Sequence, residues 1–172
     1  YDATGLVWTN PSPNIRSLTQ ALLYPGVGLI ELTNVSVGRG TDTPFELVGA
    51  PWIDARRFAA HLNSAGLPGV RFVPVRFRPT SAVFADEECN GVNIIVTERS
   101  RFQPVSTGLQ LMCSLKALHS EQWDRRNLNG LLSSRKTMEA IEAGRSVSET
   151  EAIWAEQLAR FLNRRRRFLR YD

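Results

Sequence analysis

Cysteine and histidine are scarce in this sequence, with two of each among 172 residues. Cys89 and Cys113 are too few for the disulfide framework of a small secreted scaffold, although a single bridge between them stays open. The histidines, His61 and His119, are far apart in the chain and form no pair with metal-ligand spacing. The sequence therefore predicts neither a metal site nor a cofactor.

Long apolar runs and an evenly spread positive charge are also missing. No run approaches the ~18 apolar residues that a membrane-spanning helix needs. The net charge is +4, and much of the excess lies in residues 164–167 and Arg170, so the rest of the chain is close to neutral. Nucleic-acid-binding proteins more often spread basic residues over a face between aromatic side chains. Nucleic acid is therefore disfavoured as a partner, and the arginines are interpreted as a solvated helix end, with an anionic polymer as an alternative partner.

The chain starts at Tyr1, without a methionine or a signal-like segment. It is therefore expected to be a fragment or a processed product, and the missing targeting signal says nothing about the parent protein. A length of 172 residues is typical of one domain that buries a sizeable core.

Helix and strand signals alternate along the chain, which predicts a single α/β or α+β domain with several helices packed on a small mixed sheet. Ser17, Asp54 and Ser148 stand where helix N-caps are expected, and Pro104 suits a first helical residue. Pro25 is expected to end the first helix. The predicted helices cover residues 17–23, 54–65, 105–118 and 148–163, and the predicted strands cover residues 27–32, 70–77 and 92–97.

The stretch of residues 29–52 concentrates the polar side chains that a binding site needs. An apolar run is expected to place Glu31 at the end of the strand 27–32. A polar loop follows, in which Arg39 stands between two glycines. Glycines let a backbone approach a ligand closely, and the arginine fork matches a carboxylate or a phosphate. This pattern favours a binding loop, and the alternative is a polar loop that hydrogen-bonds only to itself.

The same stretch carries a resemblance to a known family. The pattern Glu31-x-Thr33-Asn34-x-Ser36-x-Gly38-Arg39-Gly40-Thr41 is followed by Pro44-Phe45-Glu46 and by Gly49-Ala50-Pro51-Trp52-Ile53-Asp54. Together these residues resemble the signature of the bacterial exo-β-N-acetylmuramidase family, which was long known only as a conserved domain of unknown function. Further matching segments are residues 11–14, 24–26, 66–72 and 168–171, so the resemblance covers nearly the whole chain.

The resemblance implies that residues 1–172 form the C-terminal domain of a longer glycoside hydrolase. Members of the family carry a Rossmann-like N-terminal domain, which holds an essential catalytic carboxylate, and their active site lies between the two parts. The implied activity is release of N-acetylmuramic acid from the non-reducing ends of peptidoglycan fragments, with this chain as one wall of the cleft. The implied partners are muramyl saccharides and the N-terminal domain, and the implied location is extracytoplasmic, either periplasmic or secreted. The alternative is a non-catalytic module that binds glycan or docks the partner domain.

Glycoside hydrolysis usually needs two carboxyl groups beside the scissile bond. Glu31 is the predicted catalytic residue, and its alternative role is to brace the backbone of residues 38–41. Arg39 is predicted to bind the lactyl carboxylate of N-acetylmuramic acid through a bidentate pair. Glu46 is either a substrate contact or a structural hydrogen-bond acceptor, and Trp52 either stacks on a sugar face or belongs to the core. The N-acetyl and hydroxyl groups of the substrate are assigned to Asn34, Ser36 and Thr41.

Overall fold

The computed structural model describes residues 1–170; Asp172 and Tyr171, the last residue of the family pattern, lie outside the described residues. The helices are α1 (Leu18–Val27), α2 (Ala55–Ser64), α3 (Pro104–His119), α4 (Asn129–Leu132), α5 (Arg135–Glu142), α6 (Val147–Glu151) and α7 (Ala155–Arg165). The strands are β1 (Leu47–Ala50), β2 (Val70–Phe77) and β3 (Cys89–Val96), and 3-10 turns cover Asp2–Thr4, Gly28–Ile30 and Arg166–Phe168. The predicted class, one small sheet packed with several helices, is confirmed. Across residues 1–170, no helix is long and apolar enough to cross a membrane.

Strand β3 is the centre of a three-stranded sheet with the order β1-β3-β2, and both pairings are antiparallel. Strand β2 is thus an edge strand, where Pro74 is tolerated although it has no N–H to donate. Strand β1 was not predicted, because it contains Gly49 and Ala50 and its sequence has little strand propensity. Gly49 lies opposite Gly91, and a side chain at Gly91 would overlap the carbonyl oxygen of Val48. The close approach of the β1 and β3 backbones therefore explains why residues 47–50 form a strand.

Helix α2 packs on β2 and β3 and begins where the sequence predicts. The Asp54 carboxylate accepts hydrogen bonds from the backbone N–H groups of Arg56 and Arg57, at 3.0 and 3.1 Å. Ile53 before this cap and Phe58 after it are both buried. The N-cap and the flanking apolar pair fix the start of the helix and bury its apolar face in the core.

The predicted strand at residues 27–32 is wrong, because α1 continues through Pro25 and Gly26 and runs into the 3-10 turn Gly28–Ile30. Helices α1 and α3 cross so closely that a Cβ atom on Gly26 would overlap the carbonyl oxygen of Pro104. A Cβ atom on Gly108 would lie 2.8 Å from the carbonyl carbon of Gly26. This packing stabilises α1 despite the proline inside it.

The predicted helix at residues 148–163 is two helices, α6 and α7, separated by a turn. The capping box that starts α6 consists of Ser146 and Glu149, so the N-cap is Ser146 rather than the predicted Ser148. The Glu151 carboxylate instead accepts a hydrogen bond from the Ser106 hydroxyl on α3. Helix α6 is therefore hydrogen-bonded to α3, whereas α7 has no buried residue.

Candidate functional site

Glu31 caps the C-terminal end of the turn Gly28–Ile30, rather than the end of a strand. One of its carboxylate oxygens forms an ion pair with Nη2 of Arg39. The side chain of Glu31 is 18% exposed and that of Arg39 is 38% exposed. The two residues assigned the leading chemical roles are thus in direct contact at the surface of the domain.

The two glycines beside Arg39 shape the loop that carries it. Gly38 and Gly40 have φ angles of 77° and 78°, in the left-handed region that glycine adopts without steric cost. The Thr41 N–H closes a turn by donating to the Gly38 carbonyl oxygen at 3.1 Å. This turn projects the arginine side chain towards Glu31.

Arg39 is also held from the side of the core by Phe45. Its guanidinium carbon lies 5.9 Å from the centre of the Phe45 ring, within the range of a cation–π contact. Phe45 is buried with a φ angle of 65°, which is unusual for a bulky residue. The buried Nε of Arg39 has no hydrogen-bond partner among the described residues. The guanidinium is therefore fixed in place, while 38% of the Arg39 side chain stays exposed to a ligand.

A small cleft of about 170 Å³ opens beside this ion pair. Its lining residues are Glu31, Leu32, Val35, Ser36, Val37, Arg39, Ala82 and Val83. The last two belong to the loop between β2 and β3, and no motif in that loop predicts that they line a cleft. Thr80 fastens this loop by donating from its N–H and its hydroxyl to the Gly40 carbonyl oxygen, at 3.0 and 2.8 Å. Ala82, Phe84 and Asp86 all have positive φ angles, a form of strain that clusters at functional sites.

The three residues assigned to the N-acetyl and hydroxyl groups are largely engaged within the protein. The Asn34 amide donates to the Gln122 carbonyl oxygen at 2.8 Å and accepts from the Asp124 N–H at 2.7 Å. The Ser36 hydroxyl accepts from a backbone N–H at 3.3 Å, and the Thr41 hydroxyl donates to a carbonyl oxygen at 2.6 Å. Of the three, only Ser36 lines the cleft, so it fits the predicted contact best.

Glu46 and Trp52, the two remaining predicted residues, do not line the cleft. The Glu46 carboxylate accepts a hydrogen bond from the Gln20 amide at 3.1 Å, which matches its structural alternative. Trp52 is half-buried and packs against the core, with its ring 5.4 Å from the imidazole of His119. Direct contacts of these two residues with a sugar stay predictions.

His119 introduces a pH dependence beside Trp52. Its imidazole is buried, and Nε2 has no hydrogen-bond partner among the described residues. Burial lowers the pKa of His119 below its ordinary value of 6.5; the positive charge of Arg57 adds to this effect, and Asp54 opposes it. The unfolded chain therefore binds this proton more readily than the folded one.

The free energy of unfolding is accordingly expected to decrease as the pH falls below about 6.5, towards the lowered pKa of folded His119. Thermal unfolding between pH 7.5 and pH 5 measures the effect. In His119→Phe, which keeps a ring beside Trp52 but removes the titration, the fall in melting temperature should be smaller. An identical fall in both proteins would assign the pH dependence to other groups.

Comparisons with known proteins give this fold a family context. A family model described as "Exo-beta-N-acetylmuramidase NamZ, C-terminal" matches residues 22–171. The peptidoglycan beta-N-acetylmuramidase NamZ of Bacillus subtilis (strain 168) is 36% identical over 179 residues. That match covers 99% of this chain but 42% of the Bacillus protein. The chain thus spans less than half the length of this curated relative.

Two crystal structures of DUF1343 family proteins from Bacteroides fragilis NCTC 9343 are also similar. The first has a TM-score of 0.88 and 25% sequence identity, and the match covers 100% of this chain and 47% of that protein. The second has a TM-score of 0.65 and 26% identity, and the match covers 94% of this chain and 43% of that protein. In each case, this chain corresponds to less than half of a longer polypeptide.

Proposed function

Because the chain belongs to the family of NamZ exo-β-N-acetylmuramidase C-terminal domains, we propose that it is the C-terminal part of a peptidoglycan-cleaving glycosidase. In this proposal the whole protein releases N-acetylmuramic acid from the non-reducing ends of peptidoglycan fragments. The chain supplies one wall of the substrate cleft, and the part that precedes it supplies the other wall. In this proposal the enzyme acts outside the cytoplasm, in the periplasm or in the medium.

The observation that carries the proposal is the Glu31–Arg39 pair beside the cleft. The family pattern of residues 31–41 builds both this pair and the glycine turn around it. N-acetylmuramic acid differs from N-acetylglucosamine by a lactyl ether, which carries a carboxylate. Arg39 offers that carboxylate a planar set of donors on a side chain that is 38% exposed.

Glu31 has two roles open to it in this arrangement. It can contact the reacting sugar once the ligand carboxylate competes for Arg39, or it can hold the guanidinium in the orientation that binds the ligand. The structural alternative from the sequence, a brace on the backbone of residues 38–41, receives no support, because the observed partner is the Arg39 side chain. The proposal keeps Glu31 as the residue of this chain that acts on turnover.

A binding or docking module without catalysis is the second candidate function. The side chains of Asn34 and Thr41 form hydrogen bonds within the protein, as expected for a loop that shapes a surface. Turnover of a chromogenic muramide, measured together with muramide binding, separates the two functions. Turnover by the longer protein supports the glycosidase, whereas binding without turnover in that same protein supports the module.

Arg39→Lys tests the proposed contact with the lactyl carboxylate. The variant should weaken the binding of an N-acetylmuramic acid ligand by ~1–3 kcal/mol, about 5- to 150-fold, because lysine keeps the charge but loses the bidentate fork. Binding of the matching N-acetylglucosamine ligand should hardly change. Titration calorimetry with both sugars provides the measurement.

The exposed Arg71, on the edge strand β2, offers a matched control for this experiment. Arg71→Lys should leave the binding of both sugars unchanged. Equal losses for both sugars in Arg39→Lys would show that Arg39 supports the loop rather than the carboxylate.

A further inference from the structure

Helix α7 is amphipathic, and its apolar face is only partly covered. Leu158, Phe161 and Leu162 follow one another at helical spacing, and they are 46%, 48% and 40% exposed. No residue of the helix is buried, and its principal neighbour within residues 1–170 is the turn Arg166–Phe168 that follows it. An isolated helix of this length is only marginally stable in water. A partner for this face is therefore needed to hold α7 in place.

The apolar face of α7 continues into an open groove of about 790 Å³. The groove runs between the start of α3 and the α6–α7 turn. Its apolar lining comes mainly from Phe102, Pro104, Val105, Trp154, Ala155 and Leu158.

The buried Ser106 hydroxyl in the groove already has partners within the domain. The Ser106 hydroxyl hydrogen-bonds to Glu151 and lies 3.1 Å from the side-chain oxygen of Gln103. An apolar surface can therefore cover this hydroxyl without leaving it unpaired.

We propose that this groove and the apolar face of α7, together the α7 surface, are where the preceding part of the longer protein docks onto this chain. The inference rests on the proposed function, and it specifies the surface that joins the two parts. The α7 surface is expected to bury apolar side chains of the N-terminal part at its centre. Carboxylates of that part are expected to meet the arginines at positions 160 and 164–167 along its rim.

The length of the relatives supports this occupant. They match the chain almost end to end but contain more than twice its length. The first Bacteroides structure covers 100% of this chain with a TM-score of 0.88, so its matched region includes α7. A helix without a buried residue in this domain therefore has a counterpart in a protein with a large additional part. That additional part is the simplest source of the missing contacts.

The position of the groove relative to the cleft supports the same occupant. Pro104 on the floor of the groove contacts Gly26 at the α1–α3 crossing. Gly26 precedes Glu31 by five residues along a continuous helical path, which is roughly 8 Å. A second domain seated on the α7 surface is therefore within reach of the Glu31–Arg39 pair.

Hydrogen exchange in the longer protein tests the proposal. The backbone amides of α7 should be protected there, and the double change Leu158→Asp with Phe161→Asp should speed their exchange at least ~10-fold by opening this contact locally. Leu131→Asp is the matched control, since Leu131 is a similarly exposed leucine on α4, and it should leave α7 protected. Fast exchange of α7 in the unchanged protein would overturn the proposal.

Photo-crosslinking identifies the occupant even where the aspartate variants fold poorly. A photoreactive benzoyl-phenylalanine in place of Phe161 should cross-link within one molecule, to residues that precede Tyr1. Cross-links between two copies, together with a dimer in sedimentation, would overturn the proposal and show that a second copy of the protein covers the α7 surface. Protection of α7 that appears only with anionic vesicles or an anionic polymer would also overturn the proposal, as would a reading frame without an upstream part.

Muramide turnover separates this proposal from the function on which it rests. Normal turnover with an exposed, rapidly exchanging α7 would refute the docking surface alone. A protected and cross-linked α7 in a protein without muramidase activity would refute the proposed function and leave the docking surface standing.

Discussion

Glu31→Gln in the longer enzyme is expected to reduce muramide turnover by ~10²–10⁴-fold, the range measured for groups that assist proton transfer. The substitution keeps the size and shape of the side chain but removes the charge that pairs with Arg39. If Glu31 acts in the transition state, kcat should fall while the melting temperature changes little. Steady-state kinetics and thermal unfolding of the same preparation give both quantities.

Two other outcomes would assign Glu31 differently. A lower melting temperature, with activity reduced only in proportion to unfolding, would make the Glu31–Arg39 pair structural. Full activity with unchanged stability would exclude both roles and leave Glu46 as the next carboxylate to test. The exposed Glu121 supplies the control, because Glu121→Gln should alter neither quantity.

The second large effect concerns stability and the crossing of α1 with α3. Gly108→Ala should lower the free energy of unfolding by about 3 kcal/mol, at the upper end for overpacking. The added methyl group would overlap the carbonyl oxygen of Gly26 and lie 2.8 and 2.9 Å from its carbonyl carbon and Cα atom. These are backbone atoms, so relief requires the two helices to separate. At ~2–4 °C per kcal/mol for a chain of this size, the melting temperature should fall by about 6–12 °C.

The sign of this effect is diagnostic, because alanine is otherwise the better helix former by ~1 kcal/mol. Gly130→Ala in α4 provides the comparison, since its Cβ atom would meet only the flexible end of the Leu32 side chain, at 2.8 Å. That variant should be neutral or slightly stabilising. A Gly108→Ala protein as stable as the original would show that the helices can move apart at little cost.

The correctly predicted elements are those that local sequence signals mark, such as a capping residue, a proline or an alternating pattern. The Asp54 cap and the apolar residues on both sides of it located α2, and Pro104 located the start of α3. The alternation of residues 70–77 located β2. In each case the residues that specify the element lie inside it or next to it, so no tertiary information was needed.

The errors fall where distant contacts decide the structure. Pro25 normally ends a helix, but the close crossing with α3 keeps α1 intact beyond it. Strand β1 exists because Gly91 lets another backbone approach. Of the site, the sequence predicted the loop and the two residues Glu31 and Arg39, but neither their ion pair nor the wall formed by Ala82 and Val83. Ion pairs and loop contacts of this kind depend on the tertiary fold, which no single stretch encodes.

The hydrogen bonds between the Asn34 side chain and the backbone of residues 122–124 have a consequence for the order of folding. The two hydrogen bonds join residues 88 and 90 positions apart. Contacts of such high sequence separation close a long loop at a cost in entropy, and they cannot form before residues 122–124 have been synthesised. During synthesis the ribosome adds this partner segment several seconds after Asn34, at ~5–20 residues per second. The site loop of a nascent chain therefore remains incomplete until most of the domain has emerged.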